Sequence, residues 1–187
     1  MPLVKLHFKG VSEILSADDV GLLILADEEN ARQLSIICDK QMTYQFGLRM
    51  SKAEIVNQLL PEVLWQVITR NIDMRYQLVI NDLIDGKYKA LLYMPDILQA
   101  IPIRVSDGVL LAYMANFPIF IDEHLMMRQS VPYDDDSTGV TVPVNIISSE
   151  MLKKALQKAV DEEDYKKASQ IRDELKRRNA SDTSTKE

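Results

Sequence analysis

The residues best suited to catalysis or ligand binding lie within an apolar segment of this sequence. In "IPIRVSDGVLLAYMANFPIF", residues 101–120, Arg104, Ser106 and Asp107 stand among residues that otherwise favour burial. A carboxylate can hold a divalent cation or act as a general base, and a guanidinium can bind a phosphate. Packing offers another explanation, because Ser106 or Asp107 can cap a helix that begins at Gly108. Arg104 can then simply pair with Asp107, so the sequence leaves both explanations open.

A strand, a polar corner and a helix must position these side chains. The segment predicts a strand that ends near Arg104 and a helix over residues 108–115, with Asn116 in a left-handed helix exit and Pro118 stopping the helix. The earlier segment "RQLSIICDKQMTYQFGLRM" repeats this order, with Asp39 in the polar break. The repeat is either a remnant of duplication or a chance similarity of two corners.

Composition describes a protein with one well-cored domain and an appendage. The chain has 187 residues, 47% of them hydrophobic, and a net charge of -6. An acidic chain attracts nucleic-acid phosphates only if its cations are gathered on one face. Cys38 is the single cysteine, which fits a reducing compartment, and no apolar run reaches the roughly 20 residues that cross a bilayer. We therefore expect a cytoplasmic protein without a membrane span.

Charge and composition divide the chain into four parts. Residues 151–178 carry nine Lys and Arg against six Asp and Glu, whereas residues 1–150 carry 12 against 20. Between these regions, Pro, Gly, Ser and acidic residues are typical of a linker. We predict a domain over residues 1–131, a linker over 132–149, a helical hairpin over 150–178 and a disordered tail over 179–187.

The domain mixes hairpins and helices without a strict βαβ order. Two β-rich runs joined by the polar residues 27–30 predict one hairpin, and the turn pair Asp85 and Gly86 predicts another. We therefore predict an α+β fold with a mixed or antiparallel sheet and packed helices, followed by the C-terminal α-helical hairpin.

Helical spacing and capping residues predict two helical segments between the hairpins. Met42, Phe46 and Met50 suit one helical face, and Ser51 followed by Glu54 is a capping box for the next helix. Pro61 then divides two helices or kinks one.

The segments "VINDLIDGKYKALLYM" and "IPIRVSDGVLLAYMANFPIFIDEHL" resemble the bifunctional nuclease family. Its members share the patterns "V-I-H-D-L-x-D-G" and "R-P-S-D-A-I" and are described as acting on RNA and DNA. The resemblance implies possession of that fold over about residues 3–131 and gives Arg104, Ser106 and Asp107 as candidate catalytic residues.

Histidines that the family uses are replaced in this chain. Asn81 stands where the family often has His, and Pro61 and Glu62 stand near its usual His-Asp pair. The resemblance thus leaves a carboxylate-and-metal route, in which Asp82, Asp85 and Asp107 hold Mg²⁺ or Mn²⁺, with Asp39 as a further candidate. The alternative is a catalytically silent binding or scaffold protein.

The C-terminal segment resembles the UvrB/UvrC interaction motif. Its pattern "D-F/Y-x-x-A-x-x-x-R-D-x-I/L" is matched by Asp164, Tyr165, Ala168, Arg172, Asp173 and Leu175. About 30 residues bury too little surface to be stable alone, so the hairpin should dock on another hairpin or on the domain. The resemblance implies a protein partner through residues 150–178, and we expect a homo-oligomer.

Overall fold

The computed structural model describes residues 2–13, 20–133 and 149–161, and residues 164–176 apart from 166–167, 170 and 174. The chain divides into two compact units. The first comprises residues 1–82 and 88–140, and the second comprises residues 83–87 and 141–187. Most of the predicted linker and the whole predicted tail lie outside the described residues.

Strands and helices alternate irregularly along residues 3–132, which confirms the predicted α+β class. The strands are β1 (Leu3–Glu13), β2 (Val20–Asp27), β3 (Arg32–Asp39), β4 (Gln77–Ile84), β5 (Lys87–Met94), β6 (Gln99–Arg104), β7 (Ile119–Asp122) and β8 (Val131–Pro132). They form one sheet in the order β6-β5-β4-β7-β1-β2-β3-β8. The sheet is mixed, because β4 and β7 run parallel with Leu78 opposite Ile119.

The helices are α1 (Lys40–Met50), α2 (Leu60–Asn71), α3 (Val105–Ala115), α4 (Glu123–Gln129) and α5 (Ser149–Asp161), with a 3-10 helix at Glu54–Gln58. The core consists of apolar side chains of the central strands and of α1 and α3. Leu23, Leu25, Phe46, Leu78 and Val109 are completely buried.

Both predicted hairpins are confirmed, and each is stabilised by residues of its own turn. In the β2–β3 turn, Oδ1 of Asp27 accepts hydrogen bonds from the backbone N–H groups of Ala31 and Arg32. In the β4–β5 turn, Asp85 and Gly86 have φ values of 49° and 70°. Two consecutive positive φ angles give the turn whose twist matches that of the flanking strands.

The predicted capping box is wrong. Ser51 ends α1 as its C-terminal cap, and its backbone N–H donates to the carbonyl oxygen of Gly47. Glu54 begins the 3-10 helix, whose N-cap Ala53 makes no side-chain cap. Pro61 lies in the first turn of α2, where the missing N–H of proline has no helical partner to lose, so it divides two helices.

Helix α3 lies unusually close to the sheet at one glycine. A methyl group built on Gly108 would collide with Cδ1 of the buried Leu78 in β4 and lie 3.3 Å from Cγ2 of Ile103 in β6. Because Gly108 has no side chain, the first turn of α3 can pack this closely against β4 and β6.

The second unit contains the predicted C-terminal helices. Leu152, Ala159, Ala168 and Ile171 are buried, whereas Val160 and Tyr165 are exposed. After α5, the backbone N–H of Ala168 donates to the carbonyl oxygen of Asp164, which places Asp164 at the start of the following helical residues. No helix within the described ranges has the length and apolar character needed to cross a membrane.

Candidate functional site

The polar residues that opened the sequence analysis lie where β6 turns into α3. Arg104 is the last residue of β6 and the N-cap of α3, with φ -62° and ψ 131° and no side-chain cap. Ser106 and Asp107 therefore lie in the first helical turn. The prediction that one of them caps a helix beginning at Gly108 is wrong, because the helix starts three residues earlier. Asp107 still lies near the positive end of the helix dipole.

Arg104 and Asp107 form the predicted ion pair. Nε of Arg104 lies 2.7 Å from Oδ2 of Asp107, and Nη2 lies 2.9 Å from Oδ1. The two side chains are 57% and 44% exposed, so the pair lies at the surface. The hydrogen bonds to Asp107 raise the pKa of Arg104 above its ordinary value, against a smaller opposing effect of partial burial.

A second strand-to-helix corner meets the first. Asp39 is the last residue of β3 and the N-cap of α1, and its Oδ1 accepts from the backbone N–H of Met42 at 2.7 Å. Its Oδ2 accepts from Nη1 of Arg104 at 3.0 Å. Arg104 thus bridges the two carboxylates that the sequence placed at comparable positions. We call Asp39, Arg104 and Asp107 the two-corner cluster.

Ser106 does not share the exposure of its neighbours. It is only 3% exposed, on the inner side of the first turn of α3. Of the three candidate catalytic residues, the structure presents Arg104 and Asp107 to solvent. A catalytic role for Ser106 stays a prediction.

The other predicted metal ligands lie on a different hairpin. Asp82 is exposed on β4, and Asp85 is exposed in the turn that follows this strand. Across the described ranges, no three His, Cys, Asp or Glu side chains are grouped so that they could hold a metal ion. The assignment of Asp82, Asp85 and Asp107 to Mg²⁺ or Mn²⁺ stays a prediction.

Cys38 lies beside the two-corner cluster but is inaccessible. The residue is 6% exposed near the end of β3. Burial, with a smaller contribution from the neighbouring charge of Asp39, raises the pKa of its thiol to about 12 against a lowering effect of Arg104. A protonated, buried thiol packs as a small hydrophobe and is a poor nucleophile.

Sequence reasoning missed an ion pair that joins α1 to α2. Nε and Nη2 of Arg49 donate to the two carboxylate oxygens of Glu62 at 2.7 and 2.9 Å, and the side chains are 3% and 11% exposed. Nη1 of Arg49 donates to the side chain and backbone of Gln45. Glu62, which the family comparison set near the usual His-Asp, is therefore engaged inside the fold.

Helical spacing could have revealed the buried position of Arg49. At 100° per residue, position 49 returns to within 20° of Met42, whereas position 50 is displaced by about 80°. Met42, Phe46 and Met50 do fall on one side of the helix, but Met50 is 46% exposed, so Arg49 completes the buried face in its place.

A depression of about 680 Å³ lies elsewhere on the first unit. It is lined by Lys5, Leu6, His7, Phe8, Ala112, Tyr113, Asn116, Phe117, Pro118, Ile119 and Phe120. None of the residues of the two-corner cluster lines it. The cluster is therefore an exposed surface feature separate from this depression.

Comparisons with known proteins agree with both resemblances. A family model described as the bifunctional nuclease domain matches residues 23–134, more than half of the chain. A second model, described as the UvrB/uvrC motif, matches residues 150–178. No curated protein matches the chain.

Proposed function

This chain belongs to the bifunctional nuclease domain family, and on that basis we propose that it hydrolyses RNA and DNA phosphodiesters at the two-corner cluster. The observation that carries the proposal is the meeting of two exposed strand-to-helix corners, with Arg104 hydrogen-bonded to both Asp39 and Asp107. Phosphodiester hydrolysis needs cationic stabilisation of the phosphate and activation of a water molecule.

Arg104 has the chemistry to hold the phosphate. A guanidinium has five N–H donors in a planar fork, and three of them are directed to Asp39 and Asp107. The other two N–H groups donate to phosphate oxygens of the substrate. Because the two carboxylates fix the plane of the guanidinium, its orientation is set before the substrate binds.

Asp39 and Asp107 fit the way in which proteins hold Mg²⁺ or Mn²⁺ beside a phosphate. Mg²⁺ commonly takes one or two carboxylates, substrate phosphates and several waters, without a complete protein cage. Each carboxylate has about four lone-pair sites, so its hydrogen bonds leave capacity for a cation. The ion, when bound, would activate water and screen the phosphate. Asp82 and Asp85 remain the further candidate ligands that the family pattern suggests.

A cleavage assay with matched ion pairs tests this proposal. Wild-type protein is incubated with labelled single-stranded RNA or DNA and Mg²⁺ or Mn²⁺, beside Arg104→Gln and Asp107→Asn. Arg75 and Asp96 form a comparable exposed pair, since Nε of Arg75 lies 2.9 Å from Oδ1 of Asp96, so Arg75→Gln and Asp96→Asn are the controls. We expect the cluster variants to lose about 100-fold in rate, the typical effect of removing one stabilising donor, while the controls keep wild-type rates.

Chelation supplies the test of the metal. Cleavage that stops with EDTA and returns with Mg²⁺ or Mn²⁺ supports the metal-assisted route. Equal cleavage by wild type, cluster variants and controls would identify a contaminating nuclease. Wild-type protein that cleaves neither substrate with either ion would refute the proposal.

We also propose that residues 150–178 bind a protein partner, because this segment matches the UvrB/uvrC motif. The described part of the segment presents apolar side chains to solvent, with Val160 46% and Tyr165 68% exposed. Such residues, beside a buried set that includes Leu152 and Ile171, suit contact with another hairpin.

A pull-down with matched charge changes tests this partner site. Val160→Lys should abolish capture of a partner, whereas Gln157→Lys adds the same charge at an exposed polar position of α5 and should leave capture unchanged. Equal capture by both variants would remove the assignment. A homo-oligomer and a cytoplasmic location complete the proposal, the latter supported by the single, buried Cys38.

A further inference from the structure

Helix α2 exposes five large apolar side chains to solvent. Apart from the largely enclosed side chain of Glu62, its residues are at least partly exposed. Leu60 is 68% exposed, Leu64 50% and Val67 55%. The remaining exposed hydrophobic residues on or beside the helix are Ile55, Val63, Ile68 and Ile72.

The exposed residues share one side of the helix. At 100° per residue, positions 60, 63, 64, 67 and 68 fall within about 140° of arc, the face of an amphipathic helix that normally packs against another element. We call these five residues the α2 stripe. Positions 62 and 65 project from the opposite side.

Contacts of that opposite side hold the α2 stripe towards solvent. Glu62 is engaged with Arg49 of α1. The ring of Trp65 lies 5.1 Å from that of Tyr76 and 5.9 Å from that of Phe117. Because α2 is anchored by both contacts, turning the stripe inward would break a buried ion pair and an aromatic cluster.

The exposed apolar area is close to what one partner contributes to a stable interface. The five residues of the stripe together with Ile55 and Ile72 expose the equivalent of about three and a half whole residues, on the order of 600 Å². One partner in a standard interface contributes roughly 800 Å². The largest apolar patch of a typical monomer covers about 300–600 Å². The summed exposure of these seven residues thus compares with the upper end of that range.

The charges flanking the stripe favour a second copy of the same chain. The stripe itself has no charged residue, Glu54 precedes α2, and Arg70 lies near its C-terminal end; both are exposed. In a twofold dimer with antiparallel α2 helices, Arg70 of one copy approaches Glu54 of the other. Opposite charges thus meet at both ends of an apolar centre.

From this exposed surface and its flanking charges, we infer that two copies of this chain associate through the α2 stripe as a twofold dimer. The contact places Leu64 and Val67 near the twofold axis. This interface is separate from residues 150–178 and does not depend on whether the two-corner cluster hydrolyses phosphodiesters.

Light scattering on the full chain tests the dimer. Wild-type protein should have twice the chain mass of 21.3 kDa, and Leu64→Glu/Val67→Glu should have the chain mass. Gln66→Glu/Thr69→Glu adds the same charge to exposed positions off the stripe and should remain dimeric, as should Val160→Lys. Monomeric wild-type protein would overturn the inference, whatever covers α2 in its place. A dimer that survives the stripe variant but not Val160→Lys would assign association to the hairpin.

Cross-linking keeps the test decisive if the double variant fails to fold. Val67→Cys should be converted to a covalent dimer by a short bismaleimide. Thr69→Cys, on the opposite side of α2, should remain monomeric on a denaturing gel. Cys38 gives no background because it is buried. Equal cross-linking of the two variants, or none with Val67→Cys, would contradict the inference.

Discussion

Asp39 and Arg104 are separated by 65 residues in the chain, yet Oδ2 of Asp39 accepts a 3.0 Å hydrogen bond from Nη1 of Arg104. Asp39 uses its other carboxylate oxygen to cap α1. One side chain therefore ends a strand, starts a helix and ties that helix to the beginning of α3.

The two roles of Asp39 can be separated by two substitutions. Asp39→Ala loses both the cap and the ion pair and should lower the free energy of unfolding by about 1–2 kcal/mol. Asp39→Asn should cost less than about 1 kcal/mol, because an amide oxygen can still accept from the N–H of Met42. Urea unfolding followed by circular dichroism measures both values. Equal losses in the two variants would show that the ion pair, rather than the cap, is the stabilising interaction.

The buried pair of Arg49 and Glu62 predicts a strong coupling. Glu62→Leu leaves a buried guanidinium without its carboxylate and should lower the free energy of unfolding by about 3–5 kcal/mol. Arg49→Leu/Glu62→Leu removes both charges and should recover most of this loss, since apolar replacement of a buried pair is often neutral or stabilising. A double-mutant cycle by urea unfolding measures the coupling. Additive losses would mean that the two side chains stabilise the fold independently.

The raised pKa of the Cys38 thiol predicts that the folded protein loses stability at alkaline pH. Its thiol has a pKa of about 12 in the folded protein against 9.0 for an unperturbed thiol, so the folded state keeps the proton longer. The resulting stabilisation is fully present below the unfolded pKa and is lost as pH rises through the folded pKa, between about 9 and about 12.

Cys38→Ala isolates this contribution. Burial also raises the pKa of Tyr88, so wild-type protein and variant both lose stability through that residue at high pH. The difference in free energy of unfolding between wild type and variant should shrink from about pH 8 to about pH 10.5. A difference that stays constant over this range would contradict the assignment.

The close approach of Gly108 to Leu78 predicts that Gly108→Ala causes a steric clash, which Leu78→Val relieves. Gly108→Ala improves helix propensity by about 1 kcal/mol, but its methyl group meets Leu78, and overpacking of a core costs about 1–3 kcal/mol. We expect a net loss of stability. In a Leu78→Val background, which lacks Cδ1, the same substitution should be neutral or stabilising. Thermal unfolding of the four proteins measures the coupling, and an equal effect in both backgrounds would exclude the collision.

Features set by neighbouring residues were predictable from the sequence. The β2–β3 and β4–β5 turns, the left-handed exit of α3 at Asn116 and the pairing of Arg104 with Asp107 all follow from short sequence spans. Helix starts were predicted less well. Ser51 and Ser106 are residue types that can cap a helix, but Ser51 ends α1 and the N-cap of α3 is Arg104. A side chain of the right type permits a cap, whereas the φ and ψ angles that packing imposes decide where the helix begins.

The family, the α+β class and the charged residues that interrupt apolar segments could all be recognised without coordinates. The contact of Asp39 with Arg104, the burial of Arg49 against Glu62 and the exposure of the apolar side of α2 are visible only in the folded chain. Turns, caps and pairs one helical turn apart depend on the few residues that form them. Contacts between distant segments depend on the register of the sheet and the packing of helices on it, which the whole chain determines together.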